Sequence, residues 1–252
     1  MRSGFSIFDS HTHIGAARHS GRRYTADELL RDMDQFGVDR ALVIPFPVVE
    51  DRREAHDEIG AAVLAHPDRL CGAACIDPFA PEQSVRAEMT RCRERFGFAA
   101  VKVQPQYQGL NPLSHDTDAL FTIALENDLA VVWHTGTGVP YSLPSLLMLP
   151  ARKHPRLRIV LSHCGGGLLV SEAIVAASFC PNIYLELSTL MPSQVQEVIA
   201  NVPCDRLMIG SDLPENLEVE IGKILGMRLG EAQKRQILSE TANAVFTSRS
   251  MS

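Results

Sequence analysis

A regular alternation of short apolar runs with longer amphipathic stretches is the feature that most constrains the fold of this chain. Eight runs have the length and composition of buried strands, and they lie at residues 5–9, 40–45, 70–76, 98–103, 129–133, 157–161, 182–186 and 207–210. Helix signals lie between them, such as the capping-box pair Thr25 and Glu28 with the stop signal Gly37. Nearly continuous apolar strands separated by helices are typical of a parallel sheet covered on both faces.

The length of the chain and the positions of its polar residues favour one architecture. The chain has 252 residues, and an eight-stranded βα barrel needs roughly 250. An open, doubly wound sheet would also alternate, but it would leave the ends of its first and last strands far apart. Polar residues follow both early and late runs in this chain, and a closed ring brings those ends together. The sequence therefore predicts an α/β protein, a (β/α)8 TIM-like barrel that spans residues 1–252 as a single domain.

Five side chains of metal-ligand type stand at the ends of the predicted strands. His11 and His13 follow the first run, and His134, His163 and Asp212 follow the fifth, sixth and eighth. In a barrel these ends open onto one face, and residues two apart in an extended strand point to the same side. Each has an ordinary explanation alone, such as a surface histidine or a carboxylate that caps a turn. Together, imidazoles and a carboxylate favour a site for Zn²⁺ or a similar divalent ion.

This order of ligand-type residues resembles that of the amidohydrolase superfamily. The strings FDSHTH at residues 8–13, LSHCGG at 161–166 and IGSD at 209–212 are similar to its amidohydrolase-related branch. That branch includes the relatives of aminocarboxymuconate-semialdehyde decarboxylase. The resemblance covers essentially the whole chain. It implies the barrel and the metal, and it says little about the substrate.

Carried over residue by residue, the resemblance implies a site with one metal ion per chain. His11, His13, His134 and Asp212 would bind Zn²⁺ or another divalent metal such as Mn²⁺. His163 would lie beside the metal-bound water, and His163 and Asp212 would be the catalytic residues that move protons. The alternative in which His163 is a fourth protein ligand stays open.

Lys102 is a candidate substrate-binding residue at the end of the fourth predicted strand. Val101 and Val103 have the opposite parity, so the lysine side chain should enter the barrel mouth. It would bind a substrate anion or an acidic neighbour. Two alternatives stay open, namely a buried lysine in a salt bridge and the carboxylated lysine with which binuclear members of the superfamily bridge two metals.

Four further residues are candidates for substrate binding. Arg18 and Arg22 lie in the loop after the first run, where a guanidinium suits a substrate carboxylate, although loop arginines are usually just solvated. Tyr141 belongs to a long stretch, residues 136–150, that either covers the site as an apolar lid or is a loop before an ordinary barrel helix. Glu186 ends the seventh run and could reach the mouth.

Charge and cysteine content limit the partners. Lys and Arg number 24 against 30 Asp and Glu, and this mild acidity argues against nucleic acid or an anionic membrane as a partner. No stretch approaches the ~18 apolar residues of a membrane span, and residues 1–10 contain no apolar segment of signal-peptide length. The six cysteines are scattered, which favours free thiols. We expect a cytoplasmic protein that acts on a small molecule, and apolar residues on the outer helices permit a homodimer.

Three functions compete. The leading prediction is a metal-dependent hydrolase of a small amide, lactone or ester that uses a metal-activated water. The alternative is a metal-dependent, non-oxidative decarboxylase of a small unsaturated or aromatic carboxylic acid that uses the same ligands. The second alternative is a non-catalytic barrel that binds a metal or a metabolite, in which a structural metal would be enclosed by four protein ligands.

Overall fold

One sheet organises the structure, a computed structural model that describes residues 1–77, 79–137 and 140–247. In this part of the chain, nine strands are hydrogen-bonded in the order β2-β1-β3-β4-β5-β6-β7-β8-β9. Their bounds are β1 Phe8–Ala16, β2 Arg23–Tyr24, β3 Arg40–Pro45, β4 Leu70–Cys75, β5 Ala100–Val103, β6 Ala130–His134, β7 Ile159–Ser162, β8 Ile183–Glu186 and β9 Leu207–Met208. All neighbours from β1 through β9 run parallel except β2, which pairs antiparallel with the end of β1.

Helices separate the parallel strands, as the alternation predicts. They are α1 Ala26–Phe36, α2 Arg52–Ala65, α3 Glu82–Phe96, α4 Pro105–Gln108, α5 His115–Glu126, α6 Met148–Lys153, α7 Val170–Phe179, α8 Pro192–Asn201, α9 Leu217–Gly226, α10 Glu231–Arg235 and α11 Thr241–Phe246. The predicted capping box opens α1, where Thr25 and Glu28 each accept from the other's backbone N–H. Among the described helices, none combines the length and the apolar composition needed to cross a bilayer.

Hydrogen bonds between the first and last strand regions close the sheet into a ring. The Ser10 amide donates to the Ile209 carbonyl at 3.0 Å, and the Asp212 amide donates to the His11 carbonyl at 2.7 Å. Gly210 permits this approach, because a Cβ there would lie 2.6 Å from the Cβ of His11. The parallel strands therefore form the predicted single-domain barrel, and β2 extends β1 outside it.

Side chains alternate across the barrel wall with a period of two. Ala100 and Val132 belong to the cluster inside the barrel, whereas Val101 and Val131 pack in the layer between the strands and the helices. Each fully buried valine side chain contributes about 1.5–3 kcal/mol to the stability of the fold. Lys102 has the parity of Ala100, so it projects inward, as its spacing predicted.

The predicted bounds of the first strand, residues 5–9, are wrong. The strand β1 begins at Phe8 and continues to Ala16, with an irregularity between Asp9 and Thr12. The polar residues do not end the strand because their side chains are satisfied by distant parts of the chain. The Ser10 hydroxyl, for example, donates to the Ile209 carbonyl at 2.5 Å. His11 and His13 consequently lie inside β1 and not after it.

Candidate metal and active site

Two histidines of β1 and one aspartate after β9 meet at the carboxyl end of the barrel. The Nε2 atoms of His11 and His13 lie 3.4 Å and 3.3 Å from Oδ1 of Asp212. Among the described residues, these three form a group whose ligand atoms all lie within 4.8 Å of one another. The closure of the barrel creates this group, because the backbone amide of Asp212 is bonded to the carbonyl of His11.

The other ring nitrogen of each histidine is held by the protein. Nδ1 of His11 lies 3.1 Å from Oε2 of Glu186, and Nδ1 of His13 lies 3.0 Å from the carbonyl oxygen of Pro45. Both partners accept, so each Nδ1 carries the proton and each Nε2 has its lone pair toward Asp212. Metal-ligating histidines need this arrangement, in which a second acceptor fixes the ring and its tautomer. The residues present therefore fit a divalent cation.

His134 and His163 lie close to this group. His134 ends β6, and its Nε2 lies 2.9 Å from the carbonyl of Thr137, which leaves the lone pair on Nδ1. The His163 ring is 4.9 Å from the His134 ring and 5.0 Å from the His11 ring, centroid to centroid. Within the described residues, three possible ligand groups occur: the one above, a second at this site that joins His11, His163 and Glu186, and one elsewhere; none of them includes His134. The ligand role of His134 stays a prediction.

The backbone is strained at both predicted catalytic residues. The backbone angle φ is near +64° at both His163 and Asp212, in a region that residues other than glycine rarely adopt. The loop at His163 also packs backbone against backbone on the loop after β6, since a Cβ on Gly136 would lie 2.8 Å from the Cα of Gly166. The glycines after His163 thus allow the close approach of two strand ends, which brings the His134 and His163 rings together.

His163, His134 and Asp212 have pKa values far from their ordinary ranges. Burial, reinforced by the nearby His11, lowers the pKa of His163 to about 3. Burial and the Lys102 cation lower the pKa of His134 to about 4. Burial of Asp212 favours its protonated form, but the proximity of His13 and the other imidazoles outweighs burial and holds its pKa far below the usual range. At neutral pH, His134 and His163 are therefore neutral imidazoles, and Asp212 is a carboxylate.

Lys102 lies beneath this group. Its Nζ donates to Oγ of Ser162 at 2.9 Å and lies 3.1 Å from Nε2 of His11, and the residue is 1% exposed. Burial lowers its pKa to about 8, although the carboxylates of Asp212 and Glu186 oppose the shift. The lysine is thus inside the barrel, next to the candidate ligand His11.

A cavity of about 330 Å³ opens above the candidate ligand group. His13 and Asp212 line its floor, and Phe46 and Tyr107 supply aromatic walls. The Phe46 ring stacks on the His13 imidazole, with 5.2 Å between centroids and 15° between planes. A larger cavity of about 410 Å³ lies outside the barrel between α3 and α5, and it contains no member of the ligand group.

Of the predicted substrate-binding residues, the described lining of this cavity includes only Arg22. Its guanidinium pairs with Glu215 through two hydrogen bonds. Arg18 is exposed and pairs with Glu50 at 3.2 Å. The carbonyl oxygen of Tyr141 accepts from the Trp133 indole at 3.3 Å. Gly138 and Val139, which belong to the predicted lid, lie outside the described residues.

Glu186 does not line the cavity, although the sequence suggested that it could reach the mouth of the barrel. It is fully buried, and its carboxylate accepts from Nδ1 of His11, the backbone N–H of His163, and the backbone N–H and hydroxyl of Ser188. These donors hold the carboxylate below the floor, so the structure places it behind the candidate ligands and not against a substrate.

Besides the aromatic residues Phe46 and Tyr107 of the cavity wall, two hydrogen-bonding residues behind the site were missed by sequence reasoning. Asp9 accepts from the backbone N–H of His11 at 3.2 Å and from the backbone N–H and hydroxyl of Ser211 at 2.9 Å and 2.6 Å. It ties the segment that carries His11 to the segment that carries Asp212. Ser188 lies 2.7 Å from Nδ1 of His163. Only the position of Asp9 in the string FDSHTH gave any signal; Ser188 gave none.

Comparisons with known proteins agree with this architecture. In structure, the chain is similar to 5-carboxyvanillate decarboxylase from Novosphingobium aromaticivorans DSM 12444, complexed with manganese and 4-hydroxy-3-methoxy-5-nitrobenzoic acid (TM-score 0.79, 17% identity, 96% of each chain covered). It is also similar to a dihydroxybenzoic acid decarboxylase from Polaromonas sp. JS666 with bound manganese and the inhibitor 2-nitroresorcinol (TM-score 0.77, 16% identity, 96% and 97% covered). A third similar structure is 4-oxalomesaconate hydratase from Rhodopseudomonas palustris (TM-score 0.71, 14% identity, 95% of each chain covered).

At these identities the structural likeness shows the fold alone. Among proteins of curated function, none matches the chain in sequence. The sequence model of the family described as "Amidohydrolase", in contrast, matches residues 8–247. With its barrel and this nearly complete match, the chain belongs to the amidohydrolase family.

Proposed function

We propose that this chain is a metal-dependent, non-oxidative decarboxylase of a small aromatic or unsaturated carboxylic acid. The observation that carries the proposal is the cavity, in which a guanidinium, Arg22, lies in the same lining as the candidate ligands His13 and Asp212. The structural similarity to two decarboxylases of aromatic acids supports it. The hydrolase function, which was the leading prediction from the sequence alone, has no comparable support from these similar structures.

The size and lining of the cavity suit a single-ring acid. A volume of about 330 Å³ is near the lower end for small-molecule sites. The rings of Phe46 and Tyr107 offer apolar faces to a planar ring. A guanidinium such as that of Arg22 binds a carboxylate through two parallel hydrogen bonds.

A divalent ion would be held by His11, His13 and Asp212, with His134 as a further candidate ligand. When bound, the ion would supply positive charge that withdraws electrons from substrate oxygens. Imidazoles and one carboxylate suit Zn²⁺ and Mn²⁺, and the two similar decarboxylases hold manganese. We propose one ion per chain, with Lys102 as an uncarboxylated amine below it.

The reaction also needs a proton carrier. Decarboxylation breaks the bond between the ring carbon and the carboxylate, releases CO₂, and leaves an electron pair on the carbon that takes up one proton. His163 lines the cavity, and an imidazole that takes up a proton can pass it to a substrate atom. Asp212, which loses its proton more readily than His163, suits the ligand role better than the acid role.

The test is a substrate panel with two readouts. The metal-loaded protein is incubated with hydroxybenzoic and unsaturated acids, and separately with small amides, esters and lactones, while CO₂ release and acid production are followed. We expect one CO₂ per acid consumed, no hydrolysis, and loss of turnover in His163→Gln. Opening of a lactone without CO₂ release would assign the hydrolase function instead.

A further inference from the structure

Glu186, Ser188 and His163 form a buried hydrogen-bonded relay behind the cavity. The Ser188 hydroxyl donates to Oε2 of Glu186 at 2.9 Å, and Oγ of Ser188 lies 2.7 Å from Nδ1 of His163. The three residues are 0%, 1% and 6% exposed. Water therefore has little access to compete for these bonds.

The directions of these bonds determine where His163 carries its proton. A serine hydroxyl has one hydrogen, and that hydrogen goes to Glu186. Toward His163, Oγ of Ser188 can therefore act only as an acceptor, so Nδ1 of His163 must donate. A neutral imidazole has one N–H, which leaves Nε2 without a proton. Nδ1 faces the buried serine, and His163 lines the cavity, so the lone pair of Nε2 lies on the cavity side.

We propose that Ser188 is a positioning residue that fixes His163 as its Nδ1–H tautomer. Its consequence for turnover rests on the proposed function, in which His163 carries the proton. The lone pair on Nε2 would take up a proton from water on the cavity side and release it to the substrate carbon. The opposite tautomer would present an N–H there and could not accept one.

The loop that carries Ser188 is held in place by α9. Nζ of Lys223 donates to the carbonyls of Leu187 and Leu190 at 3.0 Å and 2.9 Å, and the Thr189 amide donates to Glu220 at 2.9 Å. The Ser188 amide itself donates to Oε1 of Glu186 at 2.6 Å. With its backbone fixed on both sides, the hydroxyl stays between Glu186 and His163.

One carboxylate oxygen of Glu186 accepts from both Ser188, which contacts His163, and the candidate metal ligand His11. Oε2 of Glu186 lies 2.9 Å from the Ser188 hydroxyl and 3.1 Å from Nδ1 of His11. Glu186 thereby sets the tautomer of a candidate metal ligand directly and that of His163 through Ser188. A change at Ser188 should affect His163 alone, whereas a change at Glu186 should affect both rings.

The test reads the tautomer directly in the full-length, zinc-loaded protein. In ¹⁵N-histidine NMR, protonated and unprotonated ring nitrogens have different shifts, and the signals missing from His163→Gln identify His163. We expect Nδ1–H in the wild-type protein and a large Nε2–H population in Ser188→Ala. Ser188→Thr, which keeps the hydroxyl, should restore the wild-type signature. Ser178→Ala, whose hydroxyl bonds the Ile174 carbonyl on α7, is the control and should change nothing.

Kinetics give the second readout. We expect Ser188→Ala to lower kcat about 10- to 100-fold, as changes behind a functional histidine do, with KM within about twofold and the metal content unchanged. A wild-type His163 protonated on Nε2, or an unaltered signature in Ser188→Ala, would overturn the proposal. Because NMR needs no substrate, absence of decarboxylation would refute the proposed function and leave the tautomer assignment standing.

Discussion

Arg22 and Glu215 are joined at the rim of the cavity by two parallel hydrogen bonds, Nη1–Oε2 at 2.8 Å and Nη2–Oε1 at 2.6 Å. A carboxylate of the protein thus occupies the donors that a substrate carboxylate would use. An acid that binds the same edge of the Arg22 guanidinium must displace Glu215, and the displacement weakens binding.

Removing the competing charge should strengthen the binding of acids. Both side chains are partly exposed, and such a pair is worth about 0.2–1 kcal/mol, so we expect Glu215→Gln to lower KM for the acid substrate about two- to fivefold. Arg22→Gln should raise it. The effect should shrink as salt is added. Glu218→Gln, which breaks the similar pair with Arg2, is the matched control. An unchanged KM in both Glu215→Gln and Arg22→Gln would show that Arg22 does not bind the substrate.

The candidate ligands can be tested by metal analysis. We expect His13→Ala to lose most of its bound metal, since His13 supplies one of the three converging ligand atoms, and to keep its circular dichroism spectrum. His115→Ala, on the exposed start of α5, should keep the metal. Metal content equal to wild type in His13→Ala would remove this residue from the ligand set.

His163 and His134 are distinguished by the same measurement. We expect His163→Ala to retain the metal and lose most turnover, because the proposed role of His163 is proton transfer. We expect His134→Ala to reduce the metal content through loss of the lone pair on Nδ1. Loss of metal in His163→Ala would place that residue among the ligands, as its proximity to His11 and Glu186 allows.

A substitution at Gly210 tests the closure of the barrel sterically. A Cβ at this position would lie 2.6 Å from the Cβ of His11 and 2.8 Å from Oε1 of Glu186, and both neighbours are fully buried. Overpacking of this kind typically costs about 1–3 kcal/mol. We expect Gly210→Ala to lower the free energy of unfolding by that amount and to weaken metal binding, measured by denaturation and metal titration.

Gly222 is the matched control for Gly210. A Cβ there meets nothing within 4 Å, and the residue lies inside α9. Alanine is favoured over glycine in a helix by about 1 kcal/mol, so Gly222→Ala should be neutral or stabilising. Equal stability of the two variants would contradict the close approach at Gly210.

The sequence predicted the barrel and the inward parity of Lys102 because strand and helix periodicities are local properties. It did not predict the extent of β1, since the polar groups of that strand are satisfied by residues near the other end of the chain, as with Ser10 and Ile209. The same reason applies to Glu186. Its position at a strand end was visible, but its partner His11 lies on β1, which comes close to β8 only after the barrel closes. The pairing of Arg22 with Glu215 could not be predicted for the same reason, because the two residues are far apart in the sequence.

Glu88 on α3 gives a prediction for stability against pH. Its Oε1 lies 2.7 Å from Nδ1 of His56 and 2.5 Å from Nη2 of Arg91. Partial burial would raise the pKa of Glu88, but the hydrogen bonds from these two residues outweigh burial and lower the pKa to about 2. The folded state therefore binds the proton more weakly than the unfolded state, and the resulting stability is present above the unfolded pKa and lost as the pH falls toward 2.

We therefore expect Glu88→Gln to destabilise the protein by about 2 kcal/mol near neutral pH, a value reduced from the full linkage energy because the side chain is partly exposed. The difference from wild type should decline between about pH 4.5 and pH 2. Urea unfolding of both proteins across this range measures it. Glu94→Gln, on the exposed face of the same helix, should show no such decline. A difference between Glu88→Gln and wild type that stays constant with pH would mean that the ion pairs of Glu88 do not contribute to stability.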